Sequence, residues 1–447
     1  PNVKILAAAC RTHLPPNTAY RGFGGPQGMF PLEAAIYKAA TVMGVTPEWI
    51  QARNLITDGY QFHYGQTVDA CRMQRTWDEA DAAFGFSAVK DKVETFNRTH
   101  RGKKKGYAVM PVCFGISFTK TFLNQGSSLV HVYTDGSVCV TTGGIEMGQG
   151  ISSNMIAIVS RLFGISPKRV RCNSTNTSRI ANISPSAASA TSDLNGNATI
   201  AACEEILVGL KQKAAEELSG KPEQITIVDG LVHLNGKATE LTWEQLVLKT
   251  YLSRMQLMAH GFYTPPGLHY DFTKDHNHPF HYYTYGTCLI ETTVDCLRGT
   301  YTIDSARLVH DLGRGIIRSV DLGQVEGGLA QGIGWVTLEE LAFNKEGRLL
   351  SHALSTYKAP DGDFLPDAME VKFLENADNP GGPLGSKAVG EPPFMYGIGA
   401  FFAIQRAIDA FRQTSPDEII SPMTPERVLL SLYDADKVKS KKPAALG

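Results

Sequence analysis

The chain has 447 residues, of which 43% are hydrophobic and 19% charged, values typical of a globular protein with a large core. Its 43 basic and 44 acidic side chains leave a net charge of −1. This balance excludes a general surface for nucleic acids or anionic membranes, because both need a basic excess. No stretch approaches the ~18 uninterrupted apolar residues of a membrane span, and the length suggests about two or three domains.

Helical patterns dominate the beginning of the chain. Apolar residues spaced along one face predict a helix over Leu32–Met43, with Gly44 past its end. A second helix is predicted after Thr46, a capping residue that is followed by Pro47 at the first helical position.

A basic run at residues 101–106 is interpreted as a solvated linker. We place a domain boundary beside it and predict two domains, residues 1–104 and residues 105–447. Because the chain begins with Pro1 rather than Met, we also expect a segment that precedes it in a longer gene product.

Beyond this run, strands alternate with long helices. Three hairpins are predicted at turns that contain Gly, and they pair Leu129–Tyr133 with Val138–Thr142, Ile225–Val228 with Leu231–Leu234, and Thr292–Leu297 with Tyr301–Ile303. The predicted fold class is therefore α+β, with mixed sheets and packed helices.

Four segments rich in Gly, Ser or Ala are predicted to be loops that end where helices begin: residues 143–150, 184–193, 321–328 and 385–393. Small residues let the backbone approach a ligand, and a helix start offers unpaired N–H groups with about half a positive charge. Each loop alone is explained by a tight turn, whereas four together could surround a large anionic cofactor. The dinucleotide fingerprint and the P-loop do not occur.

Five segments carry a specific family resemblance: Ala19–Gln27, Phe114–Thr119, Gly144–Gly150, Ser184–Ser189 and Ser386–Pro393. In this order they resemble the molybdenum-binding portion of the xanthine dehydrogenase/aldehyde oxidase family of molybdenum hydroxylases. The match runs through nearly the whole chain and corresponds to the second half of that portion. The resemblance implies molybdopterin-binding domains, with the Gly- and Ser-rich loops around the cofactor. Residues 1–104 would end the first such domain, and residues 105–447 would form the second.

In this family, a molybdenum atom held by a pterin dithiolene carries an oxo group, a sulfido group and a water-derived hydroxide. The resemblance implies that a carboxylate takes the hydroxide proton, that the oxygen attacks an electron-poor carbon, and that hydride passes to the sulfido group. The expected cofactor is molybdenum–molybdopterin, either bare or in its cytosine dinucleotide form.

The family passes electrons from molybdenum through two [2Fe–2S] clusters to FAD. The eight cysteines of this chain are scattered without a C-x-x-C pair, so the clusters and the flavin are expected on an iron–sulfur subunit and an FAD subunit. Together with the N-terminal half of the molybdenum subunit, these would form a hetero-oligomer of higher order. Dispersed cysteines also suit a cytoplasmic location.

Glu391 matches the general base of the family. Gly390 and the pair Pro392-Pro393 place it on a stiff loop, where a dry site would tune its proton affinity. Without the motif, a glutamate in this position would be a favourable charge at a helix start. Arg21 matches a residue that lies beside the molybdenum without ligating it, and the alternative is a buried salt bridge.

Further positions match the substrate site of the family. Phe23 and Phe118 match two rings that bracket a flat heteroaromatic substrate, although both are also ordinary core residues. Thr119 matches a hydrogen-bond donor to the substrate, with an outward-pointing side chain as the alternative. Ala187 and Ala188 match positions where the backbone approaches the cofactor, and Ala188 is also expected near the metal and the substrate.

Four more residues match cofactor-contacting positions: Gly148, Gln149, Ser189 and Gln324. The polar side chains among them could donate to the pterin ring or its phosphate, with ordinary loop capping as the alternative.

Three residues of the first motif bear on the substrate. Carbon monoxide dehydrogenases carry Cys where Gly22 stands, many bacterial aldehyde oxidoreductases replace Phe23, and animal aldehyde oxidases usually replace Gly25. The pattern favours a purine hydroxylase that converts hypoxanthine and xanthine to urate, with its remaining purine-binding Glu and Arg upstream of Pro1. An aldehyde or N-heterocycle hydroxylase of the nicotinate type is the enzymatic alternative. A non-catalytic protein for storage or assembly of the cofactor is the alternative of another class.

Overall fold

The computed structural model describes residues 6–8, 10–14, 19–413 and 419–433. Within these residues, the α-helices are α1 (Gly25–Met43), α2 (Pro47–Arg53), α3 (Met73–Phe84), α4 (Phe86–Thr99), α5 (Ile151–Phe163), α6 (Thr191–Leu218), α7 (Trp243–Leu252), α8 (Arg318–Thr337), α9 (Pro392–Tyr396), α10 (Ile398–Arg412) and α11 (Pro425–Tyr433). None of these helices is both long and apolar enough to cross a membrane.

The strands of the same residues form three sheets. The strands are β1 (Lys103–Ile116), β2 (Gly126–Val132), β3 (Val138–Thr142), β4 (Val170–Cys172), β5 (Ile225–Val228), β6 (Leu231–Leu234), β7 (Lys237–Thr242), β8 (Met258–Tyr263), β9 (Tyr282–Asp295), β10 (Thr300–His310) and β11 (Ala368–Phe373). The orders are β1-β9-β10-β11, β4-β3-β2-β8 and β5-β6-β7. Antiparallel and parallel pairs occur in each of the two larger sheets.

The first sheet is covered on both faces. Because successive side chains of a strand point to opposite faces, Ala108 and Met110 pack with helices α8, α9 and α10, while Tyr107 and Val109 pack with α3 and α4. Strand β1 pairs with β9 along its whole length, from Lys103 to Ile116. This two-sided burial explains the nearly continuous apolar sequence in the middle of β1.

The second sheet packs against α5, α6 and α7. Val130 and Val140 lie in one buried cluster with Met155 of α5 and Ile206 of α6. Both helices begin directly after a loop rich in small residues, so the packing of this layer brings two of the predicted cofactor loops to neighbouring positions.

The α+β fold class is confirmed, and so are all three predicted hairpins. The hydroxyl of Thr46 accepts a hydrogen bond from the N–H of Trp49 at 3.2 Å, which confirms the predicted cap of α2. Helix α1 is longer than predicted, because it begins at Gly25 rather than at Leu32.

The interpretation of residues 101–106 as a solvated linker is wrong for residues 103–106, which belong to β1. Lys105 pairs with Thr293 of β9, and its ammonium group forms an ion pair with Asp304 of β10. The charge of Lys105 is therefore neutralised across the sheet. A boundary between residues 104 and 105 would lie inside β1. The division into two domains stays a prediction.

The interpretation of residues 321–328 as a loop is also wrong, since they lie inside α8 and Gln324 is a helical residue. One of the glycines in this range, Gly328, serves helix packing, because a Cβ added to it would lie 2.9 Å from Cβ of Pro393 in α9. A Cβ added at Gly332 would lie 1.9 Å from the backbone oxygen of Phe394, so α8 and α9 touch backbone to backbone. This contact places α8 directly beside the segment that carries Glu391.

Candidate functional site

A cavity of about 1240 Å³ lies where the loops of the two larger layers meet. Ten of the site residues predicted from the sequence line it: Arg21, Phe23, Phe118, Thr119, Gln149, Ala187, Ala188, Ser189, Gln324 and Glu391. Gly148 does not line it, although its neighbours Met147 and Gln149 do. An aromatic wall that includes Phe114, Phe280 and Tyr283 adds apolar surface to the cavity.

Glu391 directly precedes α9, and both of its carboxylate oxygens accept hydrogen bonds. The N–H of Gly22 donates to Oε1 at 3.2 Å, and the hydroxyl of Ser189 donates to Oε2 at 3.1 Å. Burial raises the pKa of Glu391 above the ordinary value of a glutamate, while these two bonds and the charge of Arg21 oppose the rise. The carboxylate is therefore fixed in orientation and has an increased affinity for a proton.

Arg21 is held by protein acceptors on three sides. Its Nε donates to the carbonyl of Gly390, and its Nη1 donates to Oε1 of Gln331 at 3.3 Å. Its Nη2 donates to both the backbone oxygen and the Oε1 of Gln324, at 3.3 and 3.2 Å. Burial lowers the pKa of Arg21, and the negative charge of Glu391 opposes this. The guanidinium group is thus a fixed positive charge beside the carboxylate.

The two predicted aromatic residues differ in exposure. Phe23 is 72% exposed at the opening of the cavity and has a positive φ of 38°, an unusual backbone conformation for a bulky residue. Phe118 is half-buried, and its backbone N–H and carbonyl both bond to the side chain of Asn124, at 2.9 and 2.8 Å. Thr119 follows it as an exposed residue. The cavity is therefore flanked by one ring on a fixed backbone and one ring in contact with solvent.

The loop before α6 approaches the Glu391 segment closely. Ala188 and Ser189 both have positive φ, 54° and 55°, a conformation that costs about 1–3 kcal/mol for residues other than Gly. A Cβ added at Gly390 would lie 2.8 Å from Oγ of Ser189. Ala187, which precedes them, is exposed. The strained turn thus brings the hydroxyl of Ser189 within reach of Glu391.

The start of α5 is already occupied by a carboxylate of the chain itself. Glu146 accepts hydrogen bonds from the N–H groups of Gly148, Gly150 and Ser152, at 2.9, 3.0 and 3.0 Å. Although burial acts to raise the pKa of Glu146, these backbone bonds lower it. The side chain of Gln149 donates to the carbonyl of Ile145 at 2.6 Å. The expectation of open N–H groups at this helix start is therefore wrong, because Glu146 lies inside the motif.

Several polar residues of the cavity were not identified from the sequence. Lys387 is buried, and its ammonium group donates to Oδ2 of Asp311 at 2.5 Å and to the carbonyl of Tyr283 at 2.8 Å. Asp193 is also buried and accepts a bond from the hydroxyl of Tyr282. Lys387 lies in the motif Ser386–Pro393 around Glu391, so the sequence could have identified it as a site residue. Asp311 and Tyr282 lie outside the motifs, and the residues that they contact are distant in sequence, so no sequence pattern identifies them.

Comparison with known families agrees with this site. Residues 79–366 match one family of molybdopterin cofactor-binding domains, and residues 1–55 match a second family with the same description. The chain belongs to the molybdopterin cofactor-binding domain family. The family and the molybdenum–molybdopterin cofactor that were inferred from the sequence are thereby confirmed.

Curated relatives show the same similarity. The xanthine dehydrogenase/oxidase of Mus musculus is 39% identical over 441 residues, which are 97% of this chain and 32% of that protein. Xanthine dehydrogenase 1 of Arabidopsis thaliana is 38% identical over 445 residues, 97% of this chain and 31% of that protein. The chain thus spans about a third of the length of the curated relatives that it matches.

Solved structures share the fold. Quinoline 2-oxidoreductase from Pseudomonas putida 86 superimposes with a TM-score of 0.81 at 24% identity, over 93% of this chain and 53% of the other. Carbon monoxide dehydrogenase from Oligotropha carboxidovorans does so with a TM-score of 0.78 at 20% identity, over 92% and 51%. The molybdenum hydroxylase fold that the sequence resemblance implied is confirmed.

The residues of the cavity fit a pterin cofactor. Asn154 and Asp321 line it, and Oδ1 of Asn154 and Oδ2 of Asp321 are buried with no hydrogen-bond partner in the described part of the chain. Buried polar atoms are rarely left without partners, and these two oxygens could accept hydrogen bonds from a group bound in the cavity. A pterin ring carries amino and N–H donors. Burial raises the pKa of Asp321 to about 6.

Proposed function

We propose that this chain is the catalytic part of a molybdenum-dependent hydroxylase whose substrate is a purine such as xanthine or hypoxanthine. The observation that carries the proposal is the carboxylate of Glu391, which is held on both oxygens at a cavity that Arg21, Phe23 and Phe118 also line. The names of the curated relatives support the choice of a purine.

In this proposal, Glu391 is the general base, because its raised pKa suits a group that must accept a proton near neutral pH. The bonds from Gly22 and Ser189 orient it before the substrate arrives. Phe118 and Phe23 would bracket a flat ring, one face-on and one edge-on, and Thr119 would donate a hydrogen bond to it.

The remaining predicted residues would hold the cofactor, which supplies the oxygen-transfer and electron-accepting chemistry when bound. Arg21 contributes fixed positive charge beside it, and Ala187 and Ala188 allow close approach of the backbone near the metal. Gln149, Ser189 and Gln324 would contact the pterin with their side chains. Gly148, which lies outside the cavity lining and donates its N–H to Glu146, would act by shaping the loop. The pterin would be either bare or extended with cytosine dinucleotide.

The whole protein would contain further parts. Because the chain spans about a third of its curated relatives, we propose that an N-terminal half of the molybdenum subunit, an iron–sulfur subunit and an FAD subunit complete it. A cytoplasmic location is part of the proposal, supported by eight cysteines that are all free thiols.

The test combines metal and pterin analysis with turnover on the assembled complex. We expect about one molybdenum per chain and a higher kcat/KM for xanthine than for nicotinate or a small aliphatic aldehyde. Preference for either of the other substrates would replace the purine in the proposal. Bound molybdenum without turnover of any of the three would favour the storage or assembly function instead.

A further inference from the structure

A second route through the protein joins Ser189 to Glu391, besides the direct bond of 3.1 Å between their side chains. Four residues after Ser189, Oδ2 of Asp193 accepts a 2.6 Å hydrogen bond from the hydroxyl of Tyr282. The same hydroxyl accepts a 2.8 Å bond from the N–H of Ala388, three residues before Glu391. Three hydrogen bonds and two short stretches of chain thus form a closed ring.

We propose that Asp193 and Tyr282 are positioning residues, which hold the segment of Glu391 against the start of α6 and so fix the contact between Ser189 and Glu391. This inference rests on the proposed role of Glu391 as the general base.

Asp193 does not have the surroundings of an ordinary charge at a helix start. An acidic residue in the first turn of a helix is favourable where water solvates it, but the side chain of Asp193 is only 3% exposed. A buried carboxylate is costly unless it is well hydrogen-bonded, and here the donor is a neutral phenol rather than a cation. Burial raises the pKa of Asp193 to about 7, against the lowering effect of Tyr282. The hydrogen bond from Tyr282 gives a reason for this buried carboxylate at the start of α6, although its burial costs free energy.

Tyr282 is suited to join the two segments. It is the first residue of β9 and pairs with Ile116 of β1, so its ring stands on the most extensively paired strands of the molecule. A phenol hydroxyl can donate one hydrogen bond and accept others at the same time. It therefore bonds the loop amide of Ala388 and the carboxylate of Asp193 with a single atom, which a phenylalanine could not do.

The ring has a chemical consequence at the base. A general base must stay within hydrogen-bonding reach of its proton, and a small misplacement costs a large factor in rate. The charged and polar groups that face Glu391 are Arg21, the N–H of Gly22 and the hydroxyl of Ser189, and all three lower its pKa. If the ring opens, the bond from Ser189 weakens and the pKa of Glu391 rises.

The experiment compares Tyr282→Phe with the unaltered protein in the assembled, cofactor-loaded complex. The first measurement is hydrogen exchange at the amide of Ala388, followed on peptides from residues 386–391. We expect exchange about tenfold faster, the factor for losing one ordinary hydrogen bond. The second measurement is kcat/KM against pH, for which we expect a lower plateau and an acidic limb that moves to higher pH.

Two further variants complete the design. Asp193→Asn keeps the side-chain volume and an acceptor for Tyr282, so it should change both measurements in the same direction but less. It also carries the test if Tyr282→Phe does not fold. Tyr301→Phe is the matched control, because Tyr301 on the neighbouring strand β10 loses an equivalent 2.8 Å bond, to the carbonyl of Met423. Tyr301 does not line the cavity, and both measurements should stay as in the unaltered protein.

Each outcome decides the matter. Unchanged exchange at Ala388 in Tyr282→Phe would refute the ring, whatever happens to turnover. Faster exchange with an unmoved pH profile and plateau would refute the positioning role. Failure of the proposed function is separate, because it would appear as full turnover in Glu391→Gln, whereas the exchange measurement does not depend on catalysis.

Discussion

The backbone N–H of Gly22 lies 3.2 Å from Oε1 of Glu391, although 369 positions of sequence separate the two residues. The other carboxylate oxygen accepts its bond from Ser189. A glutamine in this place could accept the bond from Gly22 with its oxygen and donate its NH2 group to the hydroxyl of Ser189, which would then be the acceptor. Glutamine would therefore keep the shape and the contacts of the carboxylate but not its ability to accept a proton.

Replacement of Glu391 by glutamine should abolish hydroxylation while molybdenum content stays at the level of the unaltered protein. The loss of a general base reduces the rate by a factor of about 10² to 10⁴, since the amide cannot accept the proton. Turnover and metal content are measured on the same preparation. Glu370→Gln, at an exposed position of β11, is the control and should leave both unchanged. Turnover retained in Glu391→Gln would remove the general-base assignment.

The pH profile of kcat/KM should show an acidic limb that lies above the range of an ordinary glutamate. Only the ionised form of Glu391 accepts a proton, so the rate falls as the pH falls through its pKa, which burial raises. Ser189→Ala removes a bond to the charged form and should move this limb to still higher pH. Ser160→Ala removes a hydroxyl that bonds the carbonyl of Ala157 within α5 and does not line the cavity, so it should not move the limb. A limb that Ser189→Ala shifts to lower pH would contradict this account.

How much of this site the sequence predicts depends on how local each interaction is. The hairpin turns at Asp135 and Asp229 are decided by adjacent residues, and the pattern finds them correctly. Gly328, close to Gln324, also looks like part of a local turn, yet it packs against Pro393 of α9, which is distant in sequence. The pattern therefore suggested a loop where a helix stands. Asp193 and its partner Tyr282 are also distant in sequence, and neither residue type by itself predicts the hydrogen bond between them.

Phe118→Ala should weaken flat purines far more than small aliphatic aldehydes. Its ring lines the cavity on a backbone that Asn124 fixes, and a planar substrate loses a stacking partner worth about 0.5–1.5 kcal/mol beyond the lost contact area. KM and kcat/KM are compared for the two substrate classes. Phe122→Ala is the control, since Phe122 lies in the same loop, is 70% exposed and does not line the cavity. Equal losses for both classes would show that Phe118 does not stack on the substrate.

Glu33→Gln should stabilise the protein at alkaline pH relative to acidic pH. Glu33 is 4% exposed and accepts a 2.8 Å bond from Gln51, and burial raises its pKa from 4.5 to about 7. The folded state holds this proton more tightly than the unfolded state. Its contribution to stability is therefore present below the unfolded pKa and is lost as the pH rises through about 7.

The glutamine variant lacks this loss. The difference in unfolding free energy between the variant and the unaltered protein should therefore shift by about 2–3 kcal/mol in favour of the variant from pH 5 to pH 8. Urea unfolding of the complex at both pH values measures the difference. Glu94→Gln, which removes an exposed carboxylate from α4, shows the effect of a surface charge alone. If Glu33→Gln behaves like this control, the carboxyl of Glu33 does not titrate as its burial implies.

Two glycines of α8 should respond to alanine in opposite ways. A Cβ at Gly327 meets nothing within 4 Å, so Gly327→Ala should stabilise the protein by roughly 0.5–1 kcal/mol through the higher helix propensity of alanine. A Cβ at Gly332 would meet the backbone oxygen of Phe394 at 1.9 Å, and a backbone atom cannot rotate away. Gly332→Ala should therefore cost about 1–3 kcal/mol or more of unfolding free energy.

The second substitution should also reduce turnover, because α9 begins directly after Glu391 and must move if α8 is pushed outward. Thermal unfolding and kcat are measured for both variants, and Gly327→Ala serves as the control for the loss of a glycine from the same helix. A stable, fully active Gly332→Ala would mean that the contact between α8 and α9 does not set the place of the carboxylate. A stable variant with reduced kcat would instead show that the helix pair tolerates the extra methyl group only by displacing Glu391.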